Sequence, residues 1–132
     1  MMDKKMKEVL DHAIYGTPEL KPEEKALFLS NFAERIHIAL TKSQVMKTGT
    51  YAEVIQLMKT KQNLKLFLNG NLSYSIYSNY IKEANQQSVP FTIVTPTSET
   101  PFGLVLADAA TAISKTSFVI EDDWYKQDMN EL

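Results

Sequence analysis

Residues 34–120 alternate between two apolar patterns, and this alternation constrains the fold more than any other feature of the 132-residue chain. Short runs rich in β-formers, at 35–41, 64–68, 89–95 and 112–120, are separated by stretches with apolar side chains every three or four residues. Strands that alternate with helices in this way form a sheet with parallel strands joined by right-handed crossovers. We therefore predict an α/β (α+β) fold with a small four-stranded sheet and flanking helices.

The predicted order of elements is α-α-β-α-β-α-β-α-β. Helices are expected at residues 3–14, from Pro22 onwards, after Thr50 to about residue 60, at 73–86, and from Pro101 to Asp108. Thr50 and Glu53 fit a capping box at the start of the third helix. Because the last helix is short, the final strand can join the sheet either parallel or antiparallel, and the second choice gives a mixed sheet.

The length suits a single domain, which we divide into an N-terminal helical part (1–33), an α/β core (34–120) and an acidic tail (121–132). The chain has no cysteine, so it has neither a disulfide nor a thiolate. No apolar run is long enough to cross a membrane, and the N-terminus lacks the pattern of a secretory signal. A cytoplasmic protein is the expectation.

Charge is unevenly distributed along the chain. The net charge is −2, but residues 121–132 alone carry five acids and one lysine, which leaves the remainder at +2. The middle of the chain, residues 35–82, is mildly basic. Scattered lysines of this kind form either an ordinary solvated surface or the footprint of a nucleic acid. In the tail, Trp124 either anchors a partner or packs against the body of the same chain.

A family resemblance lies in residues 13–45, AIYGTPELKPEEKALFLSNFAERIHIALTKSQV. The Tyr-Gly-Thr-Pro-Glu run at 15–19, Pro22 followed by acids, the Glu34-Arg35 pair, and Leu-Thr-Lys at 40–42 are similar to the YueI-like family of small uncharacterised bacterial proteins. The similarity extends along nearly the whole chain. It implies a mixed fold of the chorismate-mutase-like type and a family without an established activity, so no catalytic residue is carried over.

A weaker resemblance concerns the order of elements from Gly49 to Ile120, which is similar to the ribosomal-protein family that binds kink-turn RNA. That family's Gly-x-Asn-Glu-x-x-Lys signature corresponds here to residues 49–55, GTYAEVI, in which the asparagine and the lysine are absent. An RNA-binding module is therefore an alternative hypothesis. Its candidate contacts are three bases and one aromatic that could stack on a base: Lys42, Lys47, Lys61 and Tyr74.

Two polar loops follow candidate parallel strands, and the crevice beyond the carboxyl ends of such strands is the usual ligand site. Their polar side chains and backbone define the predicted ligand site: Asn69, Gly70, Asn71, Ser73, Thr95, Thr97, Ser98 and Thr100. The helix expected at Pro101 would direct its N–H groups at an anion, such as a phosphate or carboxylate ligand. Alternatively, these residue types are simply turn and cap formers.

Catalytic motifs are missing from the sequence. The two histidines, His12 and His37, have no metal-ligand spacing, and there is no G-x-S-x-G, Walker lysine loop or GxGxxG. We expect no catalytic residue, no metal site and no cofactor. The first hypothesis is a non-enzymatic binding or interaction domain with an RNA or protein partner and no membrane partner. The alternatives are an RNA-binding module and a small-ligand enzyme that uses the two loops. The oligomeric state stays open.

Overall fold

A computed structural model describes residues 21–113 and 117–130. It contains one sheet of four strands, in the order β1-β4-β2-β3. The strands are β1 (Ile36–Thr41), β2 (Leu64–Asn69), β3 (Phe91–Val94) and β4 (Phe102–Asp108). Strands β2 and β3 are parallel, and β4 is antiparallel to both β1 and β2. The first three strands therefore run in one direction, which confirms the prediction of a four-stranded mixed sheet.

Five helices are described: α1 (Lys21–Leu27), α2 (Lys42–Met46), α3 (Ala52–Thr60), α4 (Tyr74–Gln86) and α5 (Asp123–Met129), with a 3-10 turn at Ala33–Arg35. Helix α1 carries Glu23 and Glu24 in its first turn, as predicted. It ends earlier than its apolar spacing suggests, because Leu29 and Ser30 adopt left-handed backbone angles. The helix predicted at 3–14 lies outside the described residues.

The two faces of the sheet carry separate apolar layers. Leu104 and Leu106 pack with α3 and α4 on one face, whereas Val105 and Ala107 belong to a second cluster with α1. This alternation is what a strand buried on both faces requires. The second layer is rich in aromatic side chains, and the Phe28 ring lies 5.1 Å from Phe102 and 5.3 Å from Phe118, measured between centroids.

The prediction of a helix over residues 101–108 is wrong, because this segment is β4. Strand β4 lies between β1 and β2, and its residues from Phe102 to Ala107 are buried. A run that is apolar on both faces has no strand alternation, and Thr100 followed by Pro101 imitates a helix start. The short helix and final strand of the predicted order are thus replaced by one central antiparallel strand.

Three smaller expectations also change. Residues 109–113 and 117–120 form no regular strand, although the Ala39 N–H donates to the Phe118 carbonyl (2.8 Å), so the second segment lies along β1. Helix α3 begins after Tyr51 without a side-chain cap, and the capping box occurs instead at α2. Strand β3, expected to be buried, lies at the edge of the sheet with Phe91 and Ile93 exposed.

Among the helices of the described residues, none combines the length and the apolar character needed to cross a membrane.

Candidate functional site

The two loops predicted from the sequence lie at the same end of the strands, and we call this end of the sheet the rim. At the rim, β1, β2 and β3 end and β4 begins. Asn69 pairs in register with Val94, and the Gly70 N–H donates to the Val94 carbonyl (2.8 Å). A Cβ atom on Gly70 would lie 2.9 Å from the Thr95 Oγ1, so glycine allows the loops to approach closely.

Two of the predicted ligand residues are buried, and their polar atoms are used within the protein. The Asn69 side-chain amide donates to the Phe102 carbonyl (3.0 Å), and its Oδ1 accepts from the Asn71 N–H (2.9 Å). The Thr100 hydroxyl donates to the Leu27 carbonyl and accepts from the Phe102 N–H (3.2 Å). Asn69 and Thr100 therefore hold the loops in place rather than facing a ligand.

The other predicted ligand residues remain at the surface of the rim. Gly70 is half-buried, and the side chains of the remaining five are exposed: Asn71, Ser73, Thr95, Thr97 and Ser98. The Ser73 Oγ lies 3.2 Å from the Ser75 Oγ. The anion site expected at a helix beginning with Pro101 is a wrong prediction, because β4 begins there and provides no helix N-terminus.

The residues proposed for RNA binding fall into two groups. Lys42 is the first residue of α2 and Lys47 follows the helix, both at the rim, and Tyr74 begins α4 with 61% of its surface exposed. Lys61 follows α3 and precedes β2, so it lies at the end of the strands opposite the rim. The Lys47 Nζ lies 4.5 Å from the centre of the Tyr51 ring. The four side chains do not form one continuous surface.

A buried polar network at the β1 end of the rim was missed by the sequence reasoning. The Thr41 N–H donates to the Gln44 Oε1 (2.8 Å), and the Gln44 N–H donates to the Thr41 Oγ1 (3.5 Å), which forms a capping box for α2. The Gln44 Nε2 then donates to the Ile120 carbonyl (2.8 Å) and to the Asp122 Oδ1 (3.1 Å). The Thr-x-x-Gln pattern at 41–44 was the available signal.

Asp122 is the centre of this network. Its carboxylate accepts from the Tyr51 hydroxyl and from the Tyr125 N–H (2.9 Å), and it caps α5. Burial opposes the charge of Asp122, but the donors from Tyr51, Tyr125 and Gln44 outweigh it and lower the pKa of the carboxyl. Burial, and then the hydrogen bond to Asp122, raises the pKa of Tyr51. A charged Asp122 and a neutral Tyr51 are therefore favoured together.

A second carboxylate fixes the acidic tail to α2. Asp128 accepts from the Ser43 N–H (2.9 Å) and from the Ser43 hydroxyl (2.6 Å). Tyr125 is buried, whereas Trp124 stays exposed. The acidic segment consequently packs against the body and covers the β1 end of the rim, beside Lys42 and Lys47.

The chemistry available at the rim is that of hydroxyls, amides, the Tyr74 ring and the ammonium groups of Lys42 and Lys47. Within residues 21–113 and 117–130, no cluster of His, Asp or Glu is placed to hold a metal ion. His37 lies inside β1 and is buried. The arrangement is suited to hydrogen bonding and stacking.

Comparison with known proteins assigns the family. The family described as "Protein of unknown function (DUF1694)" matches residues 3–118. The chain belongs to this family. It is 40% identical over 128 residues to "Uncharacterized protein YueI" of Bacillus subtilis (strain 168), with 96% of each chain covered. The fold matches the crystal structure of YueI from Bacillus subtilis with a TM-score of 0.86 at 39% identity, covering 96% of this chain and 98% of that one. The YueI-like resemblance is confirmed.

The DUF1694 family is described without an activity, so the assignment supports the fold and leaves the chemistry to the residues themselves. At the positions of the kink-turn RNA signature, Gly49 has a left-handed backbone angle (φ 87°) and precedes α3. Tyr51, where that signature has asparagine, donates to Asp122. This position is thus part of the internal network.

Proposed function

We propose that the protein is a non-enzymatic interaction domain that binds a polypeptide partner at the exposed part of the rim. The observation that carries this proposal is the exposure of Tyr74 at the rim, next to the exposed polar side chains of Asn71, Ser73 and Ser75. The Tyr74 ring packs edge-on against Tyr77 (5.8 Å between centroids), so it is presented by a buried support. A rigid aromatic with a polar surround is typical of an interaction hot spot.

Four polar side chains near the rim that could assist a reaction are already engaged. Asn69 and Thr100 bond to the backbone, and the carboxylates of Asp122 and Asp128 bond to α2, Tyr51 and Tyr125. A small-ligand enzyme, the third hypothesis, is compatible with the two loops lying together at one edge. Its carboxylates would have to come from Asp122 and Asp128, which already hold α2 and α5 together, so binding is the better-supported function.

A polypeptide partner fits the charge distribution better than RNA does. Nucleic-acid affinity depends on bases that neutralise successive phosphates. Lys61 lies at the end of the strands opposite Lys42 and Lys47. The Lys47 charge is close enough to Asp122 to contribute to the lowered pKa of that carboxyl. The acidic helix α5 packs against α2 in the same area. RNA binding keeps one supporting feature, since the exposed Tyr74 could stack on a base.

Site-specific photo-crosslinking tests this function and distinguishes the two partners. A benzophenone amino acid replaces Tyr74 in one variant. In the matched control it replaces Lys61, an exposed residue at the end of the strands opposite the rim. We expect crosslinked adducts in cells from position 74 that resist nuclease and are absent from position 61. Adducts that nuclease removes would instead establish RNA as the partner. Equal labelling at both positions, or none at position 74, would contradict binding at the rim.

A further inference from the structure

Asn69 and Gly70 form the only Asn-Gly pair in the chain. In such a pair the glycine nitrogen can attack the asparagine Cγ, because glycine has no Cβ to hinder the approach and its backbone rotates with little restriction. The N–Cγ bond forms as the Cγ–Nδ2 bond breaks, and ammonia leaves with the proton of the glycine amide. Water then opens the cyclic imide to aspartate or isoaspartate. The pair therefore has the chemistry for spontaneous deamidation.

The fold holds both reacting groups in place. Asn69 ends β2 and is fully buried, its side-chain amide donates to the Phe102 carbonyl (3.0 Å), and its Oδ1 accepts from the Asn71 N–H (2.9 Å). The Gly70 N–H donates to the Val94 carbonyl of β3 (2.8 Å). Ring closure requires the Gly70 nitrogen to leave the extended strand geometry and lie against the Asn69 side chain. The imide cannot form without breaking these hydrogen bonds.

We propose that Asn69 is a deamidation site and that the pairing of β2 with β3 controls its reaction. Strand β3 has four residues and lies at the edge of the sheet. Local opening of a short edge element costs less free energy than global unfolding. Each opening that separates Gly70 from Val94 frees the Gly70 nitrogen for attack and admits water to the Asn69 side chain.

The reaction would alter the rim permanently. The product has a carboxylate in place of the Asn69 amide, so the Phe102 carbonyl loses its donor and faces a second acceptor. A buried charge without a partner is costly, and the closed rim is therefore destabilised after the reaction. An isoaspartate also lengthens the backbone by a methylene group where β2 passes into the loop. This inference concerns the covalent chemistry of the rim, and it stands independently of partner binding there.

Comparison of the folded with the unfolded chain tests the control by the fold. The tryptic peptide at residues 66–82 contains Asn69 together with Asn71 and Asn79, which precede leucine and tyrosine and serve as internal controls. After incubation at mildly alkaline pH, fragmentation mass spectrometry measures deamidation at each asparagine. In guanidinium chloride, Asn69 should react before the two controls. In buffer, the rate at Asn69 should be at least about tenfold lower, because only the open fraction reacts.

A pair of proline variants tests the part played by β3. Val94 directs its N–H as well as its carbonyl towards β2, whereas Ile93 directs both outwards. Val94→Pro therefore removes a ladder hydrogen bond close to Gly70, and Ile93→Pro removes none. Circular dichroism establishes that each variant is folded. In buffer, Val94→Pro should deamidate at Asn69 at least about threefold faster than Ile93→Pro, the effect of one lost hydrogen bond on local opening.

Three results would overturn the proposal. The first is an equal rate at Asn69 in the folded and the unfolded wild type, and the second is a rate at Asn69 in guanidinium chloride no higher than that at Asn71. The third is an equal rate in the two folded proline variants, which would show that pairing with β3 does not control the reaction. If either proline variant fails to fold, the comparison of folded with unfolded wild type decides.

Discussion

The two outer strands of the sheet are protected in opposite ways. Strand β1 is buried along its whole length: apolar layers cover both of its faces, and residues 117–120 lie along its outer side, where the Ala39 N–H donates to the Phe118 carbonyl (2.8 Å). Strand β3 alternates between exposed and half-buried residues. The comparison teaches that position at a sheet edge does not decide burial. At β1, a segment outside the sheet covers the outer side of the strand, and the described residues provide no such cover at β3.

The largest expected difference concerns core packing on the two strands. Leu40 on β1 is completely buried, so Leu40→Ala should lower the free energy of unfolding by about 3 kcal/mol through lost burial and a residual cavity. Urea denaturation, analysed with a common slope, measures this value. A loss below about 1 kcal/mol, the size expected of a surface position, would mean that β1 is not packed as described.

The second prediction removes the contact that holds the cover on β1. Asp122→Ala should lower the free energy of unfolding by about 2 kcal/mol, because it removes the acceptor of Gln44, Tyr51 and the capped Tyr125 N–H. The matched control is Asp123→Ala, an exposed acid in the same helix, with an expected change below about 0.5 kcal/mol. Trp124, the only tryptophan, reports detachment of α5 by its fluorescence. Equal losses in the two variants would argue against the network.

The same carboxyl makes the free energy of unfolding fall at acid pH. Since the folded state lowers the pKa of Asp122, the unfolded state binds its proton first as pH falls. Its contribution is complete above the unfolded value of about 3.9 and is lost as the pH falls through the folded pKa. In Asp122→Asn, the free energy of unfolding should therefore depend less on pH in the acid range. If the pH dependence of that variant in the acid range equals that of the wild type, the donors do not stabilise the charged carboxyl.

The third prediction concerns the phenol on the other side of this contact. Tyr51→Phe should cost about 1 kcal/mol at neutral pH, since Asp122 loses one of its donors. Because the pKa of Tyr51 is raised in the folded state, its contribution is complete below about pH 10 and declines as the pH rises above that value. The variant should thus lose part of its alkaline sensitivity. The part that remains includes Tyr80, whose burial raises its pKa.

The control for this prediction is Tyr74→Phe, which removes a hydroxyl at an exposed position. We expect its urea midpoint at neutral pH to equal that of the wild type. If both variants lose the same stability, the loss reflects removal of a hydroxyl in general and not the contact with Asp122.

The sequence predicted well where a pattern was local and poorly where tertiary contacts decided. Helix α4 and strand β2 follow directly from their periodicity, and the two loops meet at one rim because β2 and β3 are parallel. β4 was mistaken for a helix, because a run buried on both faces lacks the alternation that marks a strand. For the site, Asn69 and Thr100 were chosen by residue type, but only their tertiary partners show that they face inwards.

The smallest expected effect lies on β3 and completes the comparison. Ile93→Ala should change the free energy of unfolding by about 0.5 kcal/mol or less, because Ile93 is 45% exposed at a partly packed edge. Amide exchange sharpens the result, since the Ala39 N–H donates to Phe118 and should exchange slowly. The outward amides of Phe91 and Ile93, which no strand of residues 21–113 and 117–130 pairs with, should exchange quickly. Slow exchange of these two amides would mean that the outer side of β3 is covered, as that of β1 is.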